Sequence, residues 1–61
     1  MVFRVYYKKE PSFRYDDYIF DNWVIINKIR ILQLYNNKNE IIHMINLDEV
    51  RNIEIKNDRY I

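Results

Sequence analysis

The chain has 61 residues, no cysteine and one histidine. A single domain of this size buries only about 60% of its unfolded surface, and disulfides, thiolate metal sites and multi-histidine zinc sites are all excluded as staples, which leaves association with another chain. The formal charge of +1 comes from ten basic and nine acidic residues that are well mixed, so no field for a polyanion is built in; no run approaches the roughly 18 apolar residues of a membrane span and no signal-peptide core opens the chain, so it reads as a cytoplasmic protein with no membrane contact.

Val2 to Lys8, VFRVYYK, alternates Phe3, Val5 and Tyr7 against Val2, Arg4 and Tyr6 and reads as the first strand. Pro11 cannot donate to a ladder and stops it. Ser12 to Asn22, SFRYDDYIFDN, reads equally as a loop or as a short helical turn capped by Ser12, with Phe13, Tyr18, Ile19 and Phe20 docking it on the sheet. Its Tyr15, Asp16, Asp17 and Tyr18 form a candidate partner contact, since tyrosine supplies large contact area at low entropic cost.

Trp23 to Ile45, WVIINKIRILQLYNNKNEIIHMI, holds three apolar runs separated by Asn27-Lys28 and by Asn36 to Asn39. β-branched residues on every side exclude an amphipathic helix and predict three meandering strands. With no glycine in the chain, asparagine must take the turn positions that need a positive φ. A tight turn at Asn27-Lys28 predicts Val24 beside Ile31 and Trp23 beside Leu32; a turn within Asn36 to Asn39 predicts Tyr35 beside Glu40, Leu34 beside Ile41 and Leu32 beside His43. One face then carries Trp23, Ile25, Leu32, Leu34, Ile41, His43 and Ile45. The other carries Val24, Ile26, Ile31, Ile42 and Met44. An antiparallel sheet with one wet side should be polar there, so this second set is the candidate self-association face of a twofold homodimer.

Asn46 to Val50 fits a single 3₁₀ turn that tucks Leu47 and Val50 inward. Arg51 to Lys56 resumes alternation with Ile53 and Ile55 inward, and Asn57 to Ile61 is a polar tail. The fold class is therefore all-β: a small antiparallel sheet or partly open barrel of about five strands with one short connector. In element order this resembles an SH3-like small barrel, although the aromatic peptide-groove motifs of SH3 domains are missing, so proline-peptide binding is not implied.

No catalytic, metal or cofactor motif stands out. His43, between Ile42 and Met44, reads as a buried or interfacial structural histidine, and Ser12, the only serine, has no base beside it in sequence. Asp16, Asp17 and Asp21 are interleaved with Arg14 and do not match a calcium loop, so they read as a solvated face. The reading that remains is a non-enzymatic protein-binding module. The alternative is a nucleic-acid-binding module in which Arg4, Arg14, Arg30, Arg51 and Lys56 join Tyr6, Tyr7, Phe13 and Tyr15 in a stacking platform. A compact chain rich in Ile, Asn, Tyr and Lys resembles the small accessory proteins of phages and mobile elements of low-GC bacteria, anti-CRISPR proteins among them, which implies a host defence factor as the protein bound and inhibited.

Overall fold

The computed structural model describes residues 1–9 and 14–56. The expected cap at Ser12, the docking of Phe13 and the tail from Asn57 to Ile61 lie outside them. Among the described residues the chain is all-β, with the order β1 (Val2–Tyr7), β2 (Tyr15–Ile19), β3 (Asn22–Ile26), β4 (Ile31–Tyr35), β5 (Ile41–Asn46), a 3₁₀ turn (Leu47–Glu49) and β6 (Val50–Lys56). The strands form two antiparallel sheets, β2–β1–β6 and β3–β4–β5, of three strands each, which do not close into a barrel.

The connector is where the expectation of a loop or helical turn fails. Tyr15 to Ile19 is a strand, paired Phe3 to Tyr18 and Val5 to Asp16 along β1. The stretch YDDYI puts one tyrosine and one aspartate on each face of a strand, and β1 offers it a ready edge, so pairing overrides the low β propensity of aspartate. Phe20 follows as the hinge between the sheets. Its N–H donates to the Met1 carbonyl at 2.9 Å and its carbonyl accepts from the Met1 ammonium at 3.0 Å, and the ring is buried 4.4 Å from that of Phe3.

The two sheets share one core. Phe3 and Val5 come from β1, Phe20 from the hinge, Leu32 and Leu34 from β4 and Ile45 from β5. Tyr7, Tyr18, Leu47, Val50 and Ile53 pack around them, so the 3₁₀ turn tucks in as expected. It is capped by the Asn46 side chain, which accepts from the Asp48 N–H at 3.0 Å. Ile55 departs from expectation. It shares the inward face with Ile53 but lies opposite Phe3 near the sheet's rim and is 73% exposed.

Both predicted registers of the central meander shift by two residues. Ile26 pairs with Ile31, Ile25 with Leu32 and Trp23 with Leu34, because the turn spans Asn27 to Arg30 and the positive φ (54°) falls on Arg30, not on asparagine. Leu34 lies opposite His43, not Ile41, and Leu32 opposite Ile45, with a bulge that brings Ile41 to Tyr35. The second turn is built on Asn36, whose side-chain oxygen accepts from the N–H groups of Lys38 and Glu40, while Asn39 takes a positive φ of 62°. A two-residue shift preserves the alternation of faces, so Trp23 stands on the same side as Leu32, Leu34 and His43, as expected.

Candidate interaction surface

The two sheets turn opposite kinds of surface to solvent. On the outer face of β2–β1–β6, Arg4 stands between Asp17 and Glu54 and donates through Nε and Nη2 to the two Asp17 carboxylate oxygens at 2.8 and 3.0 Å. Its guanidinium also lies 4.2 Å from the centre of the Tyr15 ring. The Tyr6 hydroxyl donates to Glu54 at 2.7 Å, and Lys56 reaches the same carboxylate at 3.5 Å. The Arg4 hydrogen bonds hold the Asp17 carboxyl below the usual carboxylate range, and the Tyr6 hydroxyl does the same for Glu54. Cations and carboxylates are thus matched side by side.

The outer face of β3–β4–β5 is different in kind. NWVII, ILQLY and IIHMIN contain no Asp, Glu, Lys or Arg. Val24, Gln33 and Met44 make one cross-strand row and Ile26, Ile31 and Asn46 the next. Val24 is 47% exposed, Ile42 40% and Met44 62%. Ile26 and Ile31, two of the five residues expected on an open face, are half-buried, because they pair with each other at the mouth of the turn. Gln33 sits at the centre, with its side-chain oxygen accepting from the Tyr35 hydroxyl at 2.8 Å. Tyr35 fixes that amide, so the one polar group in the middle of the patch is already partnered.

The proposed contact set Tyr15, Asp16, Asp17 and Tyr18 does not form one surface. Being a strand, it alternates: Tyr15 and Asp17 join the outer ladder with Arg4, while Asp16 and Tyr18 turn inward opposite Val5 and Phe3. The Tyr18 hydroxyl meets that of Tyr7 at 2.5 Å, and its ring meets the edge of His43 at 4.8 Å. His43 is exposed, not buried: it lies on the edge strand β5, opposite the fully buried Leu34 at the centre of the inward row. Asp16 lines a cavity of about 260 Å³ with Tyr7, Lys9, Arg14 and Glu49; its two cations and two carboxylates select neither anion nor cation.

The stacking platform is also divided. Arg4, Tyr6, Tyr15, Arg51 and Lys56 gather on or beside the outer face of β2–β1–β6, with Arg51 5.7 Å from the Tyr6 ring centre, whereas Tyr7 and Arg14 line the cavity and Arg30 sits on the far turn, paired with Asp48. Phe13 is outside the described residues. Among the described residues no group of His, Asp and Glu could hold a metal ion, and no helix is long and apolar enough to cross a membrane. Sequence reasoning missed the edge of β3, although the missing charges in NWVII were its signal. Comparison with protein-family models, with curated proteins and with solved structures finds no match.

Proposed function

We propose that the chain is a non-enzymatic protein-binding module that works through the β3–β4–β5 sheet. The observation that carries this reading is the contrast between the two outer faces: one a ladder of internally matched charges, the other uncharged and apolar across three strands. The exposed fractions of Val24, Ile42 and Met44 amount to about one and a half side chains. Covering them contributes roughly 2–4 kcal/mol, a large part of what a small domain has in total. A second copy of the chain is the first partner that fits, since a twofold axis lays the same patch on itself. A host protein bound and inhibited is the further partner class that chain size and composition suggest.

The reading is tested by comparing wild type with Met44→Glu in sedimentation and in capture from lysate, with and without nuclease. The expected result is association that survives nuclease and moderate salt and is lost in the variant. Retention that disappears on nuclease treatment, or falls steeply with salt through counterion release, would transfer the role to nucleic-acid binding.

A further inference from the structure

We infer that the open edge of β3 pairs antiparallel with the β3 of a second copy, in a register centred on Val24, to give one continuous sheet of six strands. The inference rests on the reading that the β3–β4–β5 sheet binds protein, and it places the contact between two copies at the edge of that sheet, with Ile42 and Met44 on the distant strand left uncovered. The Leu47 N–H donates to the Arg30 carbonyl at 2.9 Å. Backbone groups alternate between the two edges of a strand, so Leu32 and Leu34 likewise face β5, and Ile31, Gln33 and Tyr35 face β3. The Asp21 N–H bonded to the Tyr35 carbonyl at 2.8 Å agrees. The partners of those three, Ile26, Val24 and Asn22, therefore spend their N–H and C=O groups on β4. Trp23 and Ile25 turn theirs to the open edge.

An antiparallel second copy must hydrogen-bond through these two residues. The register that uses all of β3 sets Trp23 opposite the second copy's Ile25, and Ile25 opposite its Trp23, with Val24 meeting Val24 on the axis. Trp23 is 46% exposed and Ile25 41% on the inward face, with the Trp23 ring 5.9 Å from that of Phe3, so each is only partly covered by the core; here each becomes half of an aromatic and β-branched cross-strand pair. On the outward face Val24 covers Val24. The strand is flanked by Asp21 and Lys28, both exposed, and reversal brings the end carrying Asp21 against the end carrying the second copy's Lys28.

The other edges are closed to this. Self-pairing of β2 about its centre sets Asp17 against Asp17, a like-charge clash. β6 carries Arg51, Glu54 and Lys56, the usual protection of an edge. β5 is bent by its bulge, and its last residue, Asn46, is engaged in capping the 3₁₀ turn. Among the described strands only β3 is regular, uncharged and at an open edge.

The test uses single cysteines, for which the cysteine-free chain gives no background. In this register Asn22 lies opposite Ile26 of the second copy in a non-hydrogen-bonded pair, at a Cα separation of about 4.5 Å, within disulfide reach. Two copies of position 22 lie about 14 Å apart, beyond it. Oxidising Asn22→Cys mixed with Ile26→Cys should give a crosslinked heterodimer, with each variant alone giving none, and Val24→Cys should crosslink to itself. Ile25→Pro, which removes an outward N–H and no β3–β4 hydrogen bond, should abolish dimer in sedimentation of otherwise unlabelled protein while its circular dichroism stays that of the wild type. A single strand pair buries less than the roughly 1,200 Å² of stable complexes, so sedimentation should run at about 100 μM and above. A wild-type dimer without selective 22–26 crosslinking overturns the edge pairing and leaves the face reading standing. A wild-type monomer with no crosslinked product overturns the pairing and leaves the sheet to a different protein.

Discussion

Leu34→Ala against Met44→Ala is the sharpest comparison the fold offers. Leu34 is fully buried and Met44 is 62% exposed on the same sheet, so the two substitutions ask how much of the stability resides in the shared core. At about 0.05–0.15 kcal/mol per residue a chain of this length holds roughly 3–9 kcal/mol. Truncating a fully buried leucine costs about 2–5 kcal/mol through lost transfer energy and the cavity left behind. Leu34→Ala therefore removes about a fifth of the stability at the least and all of it at the most, while Met44→Ala, with most of its side chain already in water, costs under about 1 kcal/mol in a monomer. Urea unfolding read by Trp23 fluorescence and by circular dichroism measures both. With a slope of about 1 kcal/mol/M for so small a domain, Leu34→Ala should lower the midpoint by about 2 M or abolish the transition. Equal losses in dilute solution would mean that the core is not where Phe3, Val5, Phe20, Leu32, Leu34 and Ile45 place it.

Acid should act on the outer ladder. Asp17 and Glu54 are held below their ordinary values, by Arg4 and Tyr6 respectively, so their contribution is present above the unfolded values near pH 4 and is lost as pH falls through the folded ones; carboxyl titration by NMR should show Asp17 returning to the ordinary range in Arg4→Met. At the alkaline end, burial and the Tyr18 hydroxyl raise the Tyr7 phenol, so its contribution is complete below about pH 10 and lost above it. Tyr7→Phe should remove the last phase of the ultraviolet tyrosinate titration. Arg30→Gly relieves a positive φ worth about 1 kcal/mol and loses only an exposed ion pair with Asp48, so thermal melting should show a neutral or stabilising change. Asn39→Val, with a β-branched side chain at a φ of 62°, should destabilise by about 1 kcal/mol or more.

The central strands were legible because their signal is local. Apolar runs bounded by asparagines leave little choice but strands, and alternation survives an error of two residues in register, so the sorting of Trp23, Leu32 and Leu34 from Val24 and Met44 needed no knowledge of the turns. The registers themselves depended on which residue takes the positive φ. A rule that assigns it to asparagine finds Asn39 but not Arg30, whose conformation goes with long-range partners: the Asp48 carboxylate and the Leu47 N–H. Strand β2 was hidden for a similar reason. Nothing inside YDDYI demands extension; β1 supplies the edge, and Arg4 supplies a partner for Asp17. The apolar patch could be read from composition, whereas the half-burial of Ile26 and Ile31 followed from a turn longer than expected.

The pairing of β1 with β6 joins the first strand of the fold to its last, and this sets an order of events. The β3–β4 and β4–β5 hairpins close over turns of a few residues, on the microsecond scale of hairpins, whereas β6 must return to β1 across nearly the whole chain at the entropic cost of a long loop. During folding the uncharged meander is therefore formed while Val5 and Phe3 still await the strand that finishes their sheet. In that interval NWVII and IIHMIN are exposed on both edges and on the face that will become the core, so the chain is at its stickiest just before β6 docks. Refolding yield should then fall as protein concentration rises, through association of chains whose β6 has not yet docked on β1.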